Sequence, residues 1–132
     1  MEITKTIKVE DYGDMLAKIF DMELVTIQYY GLFDGDYLVV LNDKGIYKFY
    51  IDAFGSCSGC DWLEDKRNDA HEVNYLEALE YCQQVKLKFA IPQKLWKMLS
   101  DEQKLTLVDS EILGFSDNEE LKEMGEELIK IK

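Results

Sequence analysis

Apolar positions along the chain change their spacing more than once. After a weak alternation at Ile3, Ile7 and Val9, the residues Met15, Leu16, Ile19 and Phe20 recur at helical spacing. Asp11 ahead of them, with Asp14 in the first turn, supplies the cap and the acid that a helix start favours. From Leu24 the texture turns to strand. Three runs rich in branched and aromatic residues, Leu24 to Phe33, Tyr37 to Leu41 and Ile46 to Ile51, are separated by Asp34-Gly35-Asp36 and Asn42-Asp43-Lys44-Gly45. These connectors hold residues that accept positive φ and close hairpins. Links this short force antiparallel pairing, so the pattern predicts a meander and disfavours a parallel βαβ sheet.

Beyond the third strand comes a charged stretch from Asp61 to Glu72, and then helical spacing returns. Asn74 with Glu77 reads as a capping box for a helix whose Tyr75, Ala78, Leu79 and Cys82 share a face. The segment 85–91 fits two descriptions: its period-2 alternation suits a fourth strand, and the same residues can continue the helix. The alternation favours strand. Pro92 suits the first turn of a short helix with Leu95, Trp96 and Leu99. Ser100 with Gln103 opens another, with Leu105, Val108 and Ile112 inward and Gly114 past its end. Ser116 with Glu119 opens the last, with Leu121, Met124, Leu128 and Ile131 on one stripe and acids opposite.

These elements predict an α+β fold: an antiparallel three- to four-stranded meander after an N-terminal helix, packed against a helical C-terminal half. One domain, residues 1–132, is expected from the length, the single proline and the absence of a Gly/Ser linker. No apolar run reaches the roughly 18 residues of a membrane span, and the first residues lack the apolar stretch of a signal peptide. A soluble protein of the bacterial or host cytoplasm is expected.

Charge narrows the function classes. The net charge of −12 argues against direct nucleic-acid binding, which draws on lysine and arginine displacing counterions. The charge is also uneven. Residues 61–80 carry seven acids and two bases, residues 81–99 four lysines and no acid, and residues 100–132 ten acids and four bases. Such blocks either keep the surface solvated or attract a basic partner.

The one motif that looks like chemistry is Cys57-Ser58-Gly59-Cys60. Two thiols on one turn can hold a metal, exchange electrons or pack a tight corner. Zinc wants four ligands in a tetrahedron, and with one further cysteine and one histidine the only carboxylate-free set is Cys57, Cys60, His71 and Cys82. Asp61, Glu64, Asp69 or Glu72 could complete a mixed site instead. Thiol–disulfide exchange expects the motif at a helix start within a βαβ unit. Here it follows an antiparallel meander, and Asp61 would raise a neighbouring thiol's pKa. As a purely structural turn, Gly55, Ser56, Ser58 and Gly59 supply the unusual backbone, small cysteines pack inside, and Trp62 anchors the loop to the core.

The string Gly55-Ser56-Cys57-Ser58-Gly59-Cys60-Asp61, with Trp62 and Glu64, resembles a motif of small uncharacterised phage and bacterial proteins, where it likewise follows an aromatic residue and a strand. The resemblance spans only these residues. It implies a prokaryotic or viral setting and no particular activity.

Catalytic parts are otherwise scarce. One histidine would have to serve any triad, no serine lies in a GxSxG elbow, and neither phosphate-cradling loop is present. Arg67 is the sole arginine. Tyr29, Tyr30, Tyr37, Tyr47, Phe49 and Tyr50 crowd the strands and by alternation populate both sheet faces. Either helices cover both faces, or one face presents tyrosines to a partner. The expectation is an interaction protein, not an enzyme and without a required cofactor, that binds a basic, nucleic-acid-binding surface of another protein. Inhibitors, anti-defence proteins and immunity proteins have this profile. Its candidate contacts are Glu119, Glu120, Glu123, Glu126 and Glu127; the alternatives are a zinc module built on the CxxC and, third, a redox protein.

Overall fold

Five successive residues, Tyr37, Leu38, Val39, Val40 and Leu41, have no solvent exposure at all. Since neighbouring side chains on a strand point to opposite faces, a strand buried at every position must be covered on both sides. The computed structural model, which describes residues 5–30, 35–54, 62–113 and 126–131, shows how. Cys57, Cys60, the Ser116/Glu119 cap, Leu121, Met124 and the acids Glu119, Glu120 and Glu123 lie outside the described residues.

The chain order begins with β1 (Thr6–Lys8), α1 (Tyr12–Phe20), β2 (Glu23–Tyr30), β3 (Gly35–Asp43) and β4 (Ile46–Phe54). It continues through α2 (Trp62–Lys66), β5 (Glu72–Asn74), α3 (Tyr75–Gln84), β6 (Lys86–Pro92), α4 (Gln93–Met98) and α5 (Asp101–Leu107). A π-helical segment, Val108–Leu113, extends α5. The fold is α+β, with a four-stranded antiparallel sheet in the order β2-β3-β4-β6 and helices on both faces. Segment 85–91 is therefore strand in its main part, pairing Phe89 with Phe49 and Ile91 with Tyr47. The strand is not a direct continuation of the meander, because α2, β5 and α3 intervene between it and β4. A second, two-stranded sheet of β1 and β5 joins Ile7 to Val73. Three-residue strands carry no readable period, which is why the sequence pattern does not announce β5.

Local chemistry sets the element ends as expected. Asp11 Oδ1 accepts the Asp14 amide at 2.7 Å and caps α1. Asn74 accepts the Glu77 amide at 3.0 Å and caps α3, without the return bond from Glu77 that the expected capping box would add. Ser100 and Gln103 form a reciprocal capping box on α5. The β3–β4 hairpin turns on Lys44 (φ 51°) and Gly45 (φ 95°), the paired positive φ that matches strand twist.

Two cores result. On one face, Tyr37, Val39, Leu41 and Tyr50 pack with Met15 and Leu16 of α1 and Ala78 and Cys82 of α3. On the other, Leu38, Val40, Tyr47 and Phe49 pack with Ile91, Trp96, Val108 and Leu128. The sheet tyrosines are thus mostly core residues, and helices cover both faces; Tyr29 at the end of β2 is an exception at 46% exposure. On α5 the inward position expected for Leu105 is shared, since Lys104 is buried with its Nζ 5.3 Å from the Trp96 ring centroid. The Trp96 indole N–H donates to the Ile131 carbonyl at 2.8 Å, which ties residues 126–131 onto α4.

At Gly13, α1 packs tightly against β2. A Cβ there would lie 3.0 Å from Ile27 Cβ and 3.0 Å from Leu24 Cδ1. Gly13→Ala is expected to destabilise the fold by about 1–3 kcal/mol through overpacking, despite alanine's better helix propensity. Urea denaturation checks this, and an unchanged or raised midpoint would mean that α1 is free to lift from β2.

Candidate functional site

Asp52 near the end of β4 and Trp62 at the start of α2 lie on either side of the CxxC in the sequence, and one side chain of α3 holds both. Tyr81 donates its hydroxyl proton to Asp52 Oδ2 at 3.1 Å, while its ring stacks on Trp62 with centroids 4.6 Å apart. The Tyr37 hydroxyl lies 2.7 Å from that of Tyr81. With the single Tyr81 proton given to Asp52, Tyr37 is the donor in this pair, and the chain runs Tyr37 to Tyr81 to Asp52. Tyr12 stacks on Tyr37 at 4.3 Å, nearly parallel, and its hydroxyl accepts the Leu63 amide at 3.0 Å. One of the orphan amides of α2 is thereby satisfied by a tyrosine.

Burial and this partner set fix the protonation states. Burial above all, then the neighbouring Tyr81 and Asp52, raises the Tyr37 phenol far above its ordinary value. Burial also raises Tyr81, the hydrogen bond from Tyr37 opposing it and Asp52 reinforcing it. Both stay neutral at any physiological pH. Tyr81 ties Asp52 of β4 to Trp62 of α2. Trp62 itself packs against the main core.

The predicted ligand residues fall in different surroundings. His71 is exposed on a turn, in left-handed backbone (φ 61°), with its carbonyl accepting the Val9 amide and its Nδ1 3.2 Å from Glu10 Oε2. Asn68 builds that turn, its Oδ1 accepting the amides of Ala70 and Glu72. Cys82 is wholly buried in the core beneath α3, and burial pushes its thiol up to about 12. It is a protonated, apolar neighbour rather than a ready thiolate. Cys57 and Cys60 lie outside the described residues, and among those described no three His, Cys, Asp or Glu side chains converge as a metal site would need. Of the acidic stripe, Glu126 and Glu127 are described. Both are exposed, and Glu127 pairs with Lys130 at 2.9 Å.

Two clefts flank α2. One, about 380 Å³, lies between α2 and α3 and is lined by Trp62, Lys66, Glu77, Glu80, Tyr81 and Gln84. The other, about 330 Å³, is lined by Tyr12, Tyr29, Leu63 and the charged Glu10, Asp11, Glu64 and Arg67. Sequence spacing alone does not single out Tyr81 or its neighbours, although Tyr81 stands three residues after the inward Ala78, which was the available signal. No protein family, curated protein or solved structure matches the chain.

Tyr81→Phe removes the acceptor of Tyr37 and the donor to Asp52 while keeping the stacked ring. It is expected to cost about 1–3 kcal/mol, because a buried hydroxyl loses its partner. A denaturation midpoint equal to the parent's would show that the hydroxyl chain carries no stability.

The Cys82 thiol generates a pH dependence. Its folded value of about 12 lies above the ordinary 9.0, so the folded state keeps a proton that the unfolded chain releases. The stability it contributes is complete below pH 9.0 and is lost as pH rises toward 12, at a limiting slope of about 1.4 kcal/mol per pH unit. Tyr37 and Tyr81 add in the same direction at higher pH. Cys82→Ala should lower stability at neutral pH yet flatten its decline just above pH 9; an equally steep decline would count against the thiol's role.

Proposed function

We propose that the chain is a small acidic interaction protein that works in the cytoplasm and binds the basic, nucleic-acid-binding surface of a partner protein, in the manner of an inhibitor or of an anti-defence or immunity protein. The observation that carries this reading is how the last acids are mounted. Glu126 and Glu127 are exposed on a short helical stretch whose Leu128 is fully buried, and the Ile131 carbonyl just beyond it is held by Trp96. Carboxylates on a fixed base bind a cationic surface with little ordering cost. Glu119, Glu120 and Glu123 belong to the same stripe by sequence spacing. The charge of −12 supports the reading because it steers encounter with a basic partner and repels nucleic acid itself. The sheet supports it too, since both faces are occupied by the protein's own helices and binding falls to the outer surface.

An arginine-rich peptide tests the reading. Its affinity is expected to fall steeply as salt rises, and Glu126→Lys with Glu127→Lys should weaken it on the order of tenfold, measured by fluorescence anisotropy. Affinity indifferent to salt, or untouched by the reversal, rejects charge as the basis of binding.

A second reading, zinc held by Cys57 and Cys60 with His71 and Cys82 as further ligands, is favoured by one observation. Tyr81 contacts both Asp52 and Trp62, which lie on either side of Cys57 and Cys60 in the sequence, so less loop-closure entropy remains to be lost when both thiolates bind one metal. Cys82 would have to surrender a strongly held proton to join them. Elemental analysis of protein prepared without added metal, with Cys57→Ser as control, is expected to give one zinc per chain under this reading. A parent protein with no more zinc than the control rules it out.

A further inference from the structure

The cleft between α2 and α3 belongs to neither the acidic stripe nor the thiols, and its lining is chemically specific. Glu77, Glu80, Tyr81 and Gln84 stand at i, i+3, i+4 and i+7 on α3, so they share one face of that helix. Trp62 closes the cleft from α2, stacked on Tyr81. The aromatic floor is fixed, because the Tyr81 hydroxyl is anchored to Asp52 and Tyr37. No ion pair engages the carboxylate of Glu77 or of Glu80 among the described residues. Lys66 at the rim supplies one positive charge against these two negative ones.

We infer that this cleft receives an arginine side chain from the partner's basic surface, with the guanidinium against the Trp62 ring and its N–H groups on the carboxylates of Glu77 and Glu80. The inference rests on the interaction reading above and adds a second contact, remote in sequence from Glu126 and Glu127. A planar guanidinium suits the site better than an ammonium, since it lies flat on aromatic rings and offers several N–H groups at once.

The test uses the full chain, ¹⁵N-labelled, and the same arginine-rich peptide, with a citrulline version as neutral control. The two indole N–H signals are separate reporters, because that of Trp96 is buried and bonded to Ile131. The peptide should move the Trp62 signal saturably and leave Trp96 still, and the citrulline peptide should move neither. Glu77→Gln with Glu80→Gln should weaken the Trp62 response roughly tenfold at an unchanged melting temperature. Trp62→Phe, which keeps a ring, should retain more peptide affinity than Trp62→Ala. If the amides of residues 126–131 shift while Trp62 does not, the cleft is wrong and the charge reading stands. Absence of any shift removes both. A Trp62 response that survives the double glutamine variant overturns the cleft alone.

Discussion

Everything in this molecule is arranged around a strand that cannot touch water. With Tyr37 to Leu41 buried on both sides, β3 obliges the chain to furnish two separate apolar layers, and a protein of this length meets that demand with α1 and α3 on one side and α4, the π-helical segment and Leu128 on the other. Fully burying a large apolar side chain is worth about 1.5–3 kcal/mol, so five consecutive ones outweigh any single surface feature. The same constraint explains Tyr37. A phenol in the middle of such a strand must find a hydrogen-bond partner indoors, and Tyr81 provides it.

That indoor partner is what links fold to site. Tyr81 sits on the helix that closes the first core, yet its hydroxyl and ring hold Asp52 and Trp62, the two sides of the thiol-bearing segment. The polar chain buried for the sake of the sheet therefore also shapes the surface around α2, where the clefts lie. Stability and presentation are served by the same hydroxyl, so a change there is felt in both.

Much of this was legible in the chain. Three strands, the antiparallel links, the caps at Asp11, Asn74 and Ser100, and the strand character of 85–91 follow from side-chain alternation and local hydrogen-bond chemistry, which act over a few residues. The contacts that define the site were not legible, because they are long-range: Tyr81 reaches Tyr37 across 44 positions and Asp52 across 29. Nothing in the local sequence distinguishes Tyr81 from any half-buried helical tyrosine. Cys57 and Cys60 stand out through their spacing; of the residues grouped with them, Cys82 is buried in the core and His71 is exposed on a turn. Lys104 shows the other limit of periodicity, since the ring of Trp96 turns a charged position into an inward one.

The small ribbon of β1 and β5 has a consequence for the order in which the protein assembles. Its strands lie 66 positions apart at Thr6 and Glu72, and each is only three residues long. Closing so large a loop for so few hydrogen bonds is unfavourable until the intervening hairpins and α2 have already formed. The ribbon is thus a late event on the folding path and an early one on unfolding, a latch set after the meander has condensed.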